Sequence, residues 1–382
     1  MLLLACFIAV PSLGAILTVI FPSLEHEEFI ARYPITEFPV DAIHRRLYGA
    51  SRVRTLPALI DRFDWIVGFS PNVEAPGYGA VNRHSHEDPR TVLASPQSIQ
   101  KLLSLAEEHL ETGRSGRLVV FMGSVLYLSE AFGHDEAERM ATLARLEAFF
   151  ERILYGVRDI DLGGVKTMPL GLNEQYYRGT SPAFVAAIAA AGVDGASKPR
   201  RILAGVGRSK TNPFPLLEPH LERFVNTSSF IHLHQRKHGG RGKGFVAALA
   251  SRAQLSRWLE TAAAWEAGVE RRSIAQRLWY AELSTYRFLL APLGDGIHTP
   301  KMIESLLLLT VPVVQRGPFP VFDDYMRFGF PIVVIDEWDE VTSASLETWW
   351  QTLSPRLQSF RDNCLTADAY WHVVTGMAAS CH

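Results

Sequence analysis

The sequence predicts an α/β protein made of two Rossmann-like, doubly wound halves, and three observations lead there. Short apolar runs bounded by turn residues alternate with amphipathic stretches at helical spacing, the pattern of a parallel sheet covered by helices. Near the middle, "AAAGVDGASKPRR" from Ala189 to Arg201 breaks that pattern with small residues, two glycines and a proline, and a second series follows it. The 382 residues exceed what one core ordinarily holds, and with 47% hydrophobic and 20% charged residues there is apolar material for two. No fixed-period repeat is present, which excludes a solenoid.

Taken in order, the opening "MLLLACFIAVPSLGAILTVIF" carries no charged side chain. As a helix it would reach about 30 Å, the thickness of a bilayer core. Residues 1–22 are therefore expected to be a signal anchor, with a cleaved signal peptide or a buried element as the alternatives. Pro11 and Gly14 are tolerated in membrane helices. The first half, 23–190, places strands at "DWIVGF" (Asp64 to Phe69), "RLVVFMGS" (Arg117 to Ser124), "RILYGV" (Arg152 to Val157) and "VKTMPLG" (Val165 to Gly171). Helices fall between them, at Ser95 to Thr112 and His134 to Ile153, where apolar residues recur every three or four positions. The second half, 198–382, has strands at "RILAGVG" (Arg201 to Gly207), "YRFLLAP" (Tyr286 to Pro292), "VPVVQ" (Val311 to Gln315) and "FPIVVID" (Phe330 to Asp336). A helical tail closes the chain, with Thr342 and Ser343 as N-caps.

Composition removes several functions. A formal charge of -2 gives no field that would draw nucleic acid, so no nucleic-acid partner is expected. The most basic stretch, "HLHQRKHGGRGKG" from His232 to Gly244, has no aromatic on which a base could stack. Cys6 lies in the opening segment, which leaves Cys364 and Cys381 as the one pair able to cross-link and rules out a disulfide scaffold. "GVGRSKT" at Gly205 fails the P-loop spacing. The histidines at 84, 86, 232 and 234 lack a third ligand at fixed spacing, so no metal site is expected from them. Asn226-Thr227-Ser228 is a glycosylation acceptor only if the chain is lumenal.

The stretch "APLGDGIHTPKMIES", Ala291 to Ser305, carries the chemistry. A strand delivers the chain to glycines that let the backbone approach a ligand, and Thr299 and Pro300 then suit the N-cap and first position of a helix. Such a helix start favours an anion such as a diphosphate, and Lys301 adds charge on its first turn. Glu304 follows three positions later on the same face, where a carboxylate is suited to accept from vicinal ribose hydroxyls. The same spacing equally describes a surface Lys–Glu pair beside a structural turn.

The segment "STYRFLLAPLGDGIHTPKMIESLLLLTVPVV", followed by "PIVVIDEWDEV", resembles the C-terminal half of exostosin-like glycosyltransferases. That resemblance implies a GT-B fold, a nucleotide-sugar site in the second half and transfer of a sugar from a UDP-sugar to a glycan acceptor with inversion. It carries over Pro292, Gly294, Gly296, Lys301 and Glu304 as donor contacts. "TMPLGLN" and "RRILAGVGRSKTN" add softer likeness, with Gly207, Arg208 and Lys210 as second contacts to the diphosphate. Two departures stand out: Lys301 where the family often has Arg, and Leu309 where it has a glycine three before the proline. No cofactor is obligatory and a divalent cation is optional, since amides and cations can stabilise the leaving diphosphate. The bulk of the chain is expected on the lumenal side of a Golgi or endoplasmic reticulum membrane, spanned once. An inverting displacement also needs a general base, which Glu74, His84, His86, Glu87 and Asp88 could supply without the sequence choosing among them. Two alternatives stay open: a catalytically silent carbohydrate-binding or scaffold protein of the same fold, and a metal-dependent GT-A enzyme using Asp159 and Asp161.

Overall fold

The computed structural model describes residues 24–37, 58–67, 81–82, 88–123, 126–173, 177, 180–205, 243–294, 297–378 and 380–381. Residues 1–22, the expected anchor, lie outside these, as do Gly207, Arg208, Lys210, Gly296, Asn226, the four loop histidines, Glu74 and Glu87. Among the described residues no helix is long and apolar enough to cross a membrane.

Among the described residues the first half holds a six-stranded sheet in the order β3-β2-β4-β5-β6-β7. Its strands are β2 (Trp65–Val67), β3 (Val81–Asn82), β4 (Thr91–Ala94), β5 (Leu118–Phe121), β6 (Arg152–Tyr155) and β7 (Val165–Thr167). All run parallel except β3, which pairs antiparallel with β2. Side chains on both faces of β2 and β5 are buried, as expected of strands with cover on each side. A separate parallel pair joins β1 (Ile35–Glu37) to β8 (Leu172–Asn173). Helices α1 (Leu24–Arg32), α2 (Ile99–His109), α3 (Leu128–Ala131), α4 (Glu136–Glu147) and α5 (Ser181–Ala190) complete this half. The Asp135 side chain caps α4 by accepting from the Glu138 amide at 2.9 Å.

The second half is a five-stranded, fully parallel sheet in the order β10-β9-β11-β12-β13. It comprises β9 (Arg200–Ala204), α6 (Lys243–Trp258), α7 (Ala262–Glu266), β10 (Val269–Arg271), α8 (Trp279–Leu283), β11 (Tyr286–Ala291), α9 (Pro300–Leu307), β12 (Val311–Gln315), α10 (Val321–Arg327) and β13 (Val333–Ile335). The chain ends in α11 (Ser343–Cys364) and α12 (Ala367–Thr375). Thr342 caps α11 as expected. In strand sequence the order is second, first, third, fourth, fifth, so it reverses between β9 and β11. The first sheet departs from the expected doubly wound order. Among the described residues its parallel strands advance one way from β2 to β7, and the far side of β2 takes the antiparallel β3.

The two halves are joined through buried polar contacts. Arg158, beyond β6, pairs with Asp324 of α10 at 2.7 Å, and both side chains are almost wholly buried. The Thr167 amide donates to the same Asp324 oxygen at 3.1 Å. Three residues on, the Leu170 amide donates to the Tyr325 hydroxyl at 2.6 Å, while the Tyr370 hydroxyl of α12 donates to the Leu170 carbonyl at 3.0 Å. Helix α12 thus returns to the first half, where Arg62 pairs with Asp368 and Phe63 packs edge-on to Trp371. A disulfide joins Cys364 to Cys381, the one pair the composition allowed.

Candidate functional site

Open α/β sheets bind ligands beyond the carboxyl ends of their strands, where the order reverses. Here that point lies between the end of β9, at Gly205, and the end of β11, at Pro292 to Gly294. The loop after β11 folds back on itself: Gly294 and Ile297 exchange main-chain bonds of 3.0 and 2.9 Å. A side chain at Gly294 would lie 2.4 Å from the Thr299 methyl, so only glycine lets the loop meet the helix start this closely. Ile297 is buried with φ +68, a left-handed conformation that is strained for a β-branched residue. The Leu293 amide donates to the buried Ser251 hydroxyl of α6 at 3.1 Å, which anchors the loop from behind.

Thr299 takes the extended N-cap conformation and Pro300 opens α9, as the sequence indicated. The Thr299 side chain makes no capping bond to the helix. The first-turn amides of α9 therefore have no side-chain cap from that residue. At its other end α9 finishes in a Schellman motif. The Thr310 amide donates to Ser305 at 2.8 Å and the Leu309 amide to Leu306 at 3.1 Å. Leu309 has φ +57, so the leucine that stands where the quoted resemblance has glycine occupies the conformation for which glycine is suited.

Glu304 is 6% exposed, one turn into α9. Its Oε1 accepts from the Tyr177 hydroxyl and its Oε2 from the Trp279 indole N–H, each at 2.8 Å. Burial pushes its pKa up, against opposing pulls from those two donors and from Lys301. Lys301 stays exposed, yet the protein mass around its ammonium holds it below the ordinary lysine range, with Glu304 opposing. The ammonium lies 5.0 Å from the centre of the Trp279 ring. The same indole fills the space over Gly205, where an added side chain would come within 2.7 Å of it. Gly205, Trp279, Lys301, Glu304 and Tyr177 thus form one cluster at the reversal point, with Tyr177 arriving from the segment before α5.

Sequence reasoning named Pro292, Gly294, Lys301 and Glu304 but missed Trp279, Tyr177 and His298. "LWY" at 278–280 reads as an apolar start to a helix, and nothing local signals an indole turned back onto the β9 turn. His298 is fully enclosed: burial pushes its pKa down to about 3 against a weaker upward pull from the Gly156 main chain. Its Nδ1 lies 2.9 Å from the Tyr325 hydroxyl. This neutral ring spans the two halves directly behind the glycine loop.

Two other expectations meet a different arrangement. Asp159 is buried and accepts from the Ser129 amide at 2.9 Å and from its hydroxyl, whereas Asp161 is exposed and pairs with Arg158. The two carboxylates serve separate partners, and among the described residues no group of three or more His, Cys, Asp or Glu could hold a metal. Asp88, a candidate base, instead pairs with Arg117 and Arg114 before β4 begins. The hydrogen bond from Arg117 leads in holding its carboxyl below the usual range. This is the amino end of β4, and an ionised carboxylate between two guanidiniums is a poor proton acceptor.

No protein-family model matches the chain, and no match is found among curated proteins. The exostosin likeness therefore stands on the quoted motifs alone. Solved structures give a distant likeness. The spinosyn rhamnosyltransferase SpnG complexed with thymidine diphosphate is 14% identical, over 76% of this chain and 73% of its own, with a TM-score of 0.34. SpnG in a second structure is 14% identical over 77% and 70%, at 0.28. The UDP-GlcNAc 2-epimerase of Methanocaldococcus jannaschii is 9% identical over 70% of each chain, at 0.26. With scores of this size, the fold reading rests on the strand order itself.

Proposed function

We propose that this protein is a glycosyltransferase that takes a nucleotide sugar, most suitably a UDP-sugar, and passes the sugar to a glycan hydroxyl with inversion. One observation carries the reading: the glycine loop, the start of α9, Lys301 and Glu304 gather where the strand order of the second half reverses. In this reading the loop amides and Lys301 hold the diphosphate and Glu304 accepts from the ribose, with Gly296, Gly207, Arg208 and Lys210 as further contacts. The acceptor would enter from the first half, whose residues at the carboxyl ends of β6 and β7 meet α10 of the second. Residues 1–22 would anchor the chain with its bulk in the Golgi or endoplasmic reticulum lumen. The Cys364–Cys381 disulfide supports that setting, because disulfides persist in oxidising compartments.

Release of free UDP, when purified protein is given a panel of UDP-sugars and glycans, tests the activity. Glu304→Gln is the sharpest variant. A glutamine can accept from Trp279 and donate to Tyr177, so the fold should persist while donor affinity falls at least tenfold. Unchanged UDP affinity by calorimetry would remove Glu304 from the site. A second reading, a catalytically silent glycan-binding protein of the same fold, is favoured by the engagement of both Glu304 oxygens with side chains. It predicts glycan binding with no UDP release from any donor.

A further inference from the structure

We infer that Tyr177 and Trp279 are positioning residues that fix the Glu304 carboxylate so that one acceptor site on each oxygen faces two vicinal hydroxyls of the donor's ribose. The inference rests on the nucleotide-sugar reading of this site. An ionised carboxylate offers about four acceptor positions, two per oxygen. Tyr177 takes one on Oε1 and Trp279 one on Oε2, which leaves one on each. The spacing of the two oxygens then suits a pair of adjacent hydroxyls.

Both donors are themselves held. The Tyr177 ring stacks on Phe184 at 5.2 Å and 16°, and it lies 5.2 Å from Phe29 and 6.1 Å from Tyr280. Trp279 is wedged between Gly205 and the Lys301 ammonium. An amide offers one acceptor oxygen and could keep both partners only if Tyr177 turned to accept from its N–H, whereas two donors on two oxygens match a carboxylate. A carboxylate is the form that serves further hydroxyl donors. Tyr177 also comes from the first half, ahead of α5, so the grip on the sugar is tied to how the halves are set.

Calorimetric titration of wild type, Tyr177→Phe and Trp279→Phe with UDP and with 2′-deoxy-UDP, across pH, tests this. Both substitutions keep an aromatic ring in place, and a variant with wild-type melting temperature is the one to use. The wild type should prefer UDP over its deoxy analogue. Losing either donor should weaken UDP about tenfold and 2′-deoxy-UDP less, so the ratio shrinks. The pH limb adds a readout that packing alone would not move. Binding needs the carboxylate and is lost as pH falls through the Glu304 pKa. The groups facing Glu304 are Lys301 on its own helix, Tyr177 before α5 and Tyr280 on α8, with Arg252 of α6 acting on Lys301. Both donors lower that pKa, so removing one should move the acid limb to higher pH. Wild-type UDP binding with unchanged affinity, ratio and limb in both variants would overturn this inference alone. No UDP binding by the wild type would overturn it together with the reading beneath it.

Discussion

Leu309 shows how one residue can be legible as an anomaly before its cause is visible. The motif flagged a leucine where the resemblance has glycine, and the backbone supplies the reason: φ +57 at the residue that closes the Schellman turn of α9. Left-handed backbone costs a side-chain-bearing residue roughly 1 kcal/mol relative to glycine. A leucine with no exposed surface contributes more than that, since truncating a buried leucine costs about 3–5 kcal/mol. Burial therefore outweighs strain. Leu309→Ala loses the packing and keeps the strain, whereas Leu309→Gly loses the packing and relieves the strain. In urea titrations both should be less stable than wild type, with glycine above alanine by about 1 kcal/mol, the reverse of their order in a helix. Alanine equal to or above glycine would mean that the turn is not strained in solution. The Glu304 partners belong to the same scale and were not legible: spacing put the carboxylate on a helix face, but the donors to it lie 127 and 25 residues away in sequence.

At the scale of elements, apolar runs that are buried on both faces were read directly, and VPVVQ is β12 to the residue. Several strands were not read: β4, "TVLA", is largely buried but sits directly before the helical stretch that begins at Ser95 and carries no run long enough to stand out. β10 is "VER" with no fully buried side chain, and β3 has two residues and no alternation to see. Helix α2 is shorter than its apolar period suggested, because Pro96 to Ser98 wind as a tighter turn before it. Helix α9 carries the site, and its far end is held by a residue of the interdomain loop. Lys198 is completely buried, and its ammonium donates to the Ser284 and Leu308 carbonyls at 2.7 Å and to the Thr310 hydroxyl at 2.9 Å. A cation at a helix carboxyl end is favourable, though burial, with a lesser push from Arg361, brings its pKa down to about 7. Lys198→Met keeps the volume and strands those acceptors. The expected loss is about 3 kcal/mol, read as a lower urea midpoint at unchanged slope. A loss below about 1 kcal/mol would show that water replaces the ammonium and that the loop does not pin α9.

For the whole molecule, the relation between the halves depends on contacts that no local pattern announces. Asp324 is one of two acids in the first turn of the short helix α10, yet it is 2% exposed and accepts from Arg158 and Thr167 of the other half. Burial opposes its ionisation, but the Thr167 hydroxyl, Arg327 and Arg158 outweigh it and hold the carboxyl below the usual range. The sign follows from that depression. An acid whose pKa is lower folded than unfolded contributes stability above its unfolded value, about 3.9, and the contribution is lost as pH falls through the folded one. Asp324→Asn leaves the buried Arg158 with only the exposed Asp161 as counter-charge, at a cost of about 3 kcal/mol at pH 7. The gap between wild type and variant should hold from pH 7 to about 5, narrow below 4 as the unfolded carboxyl takes up protons, and close as pH falls through the depressed folded value. Measured by urea unfolding at pH 7, 4 and 2.5, a gap that stays constant would assign the cost to lost packing and not to charge, and the halves would then be held together chiefly by the α12 contacts.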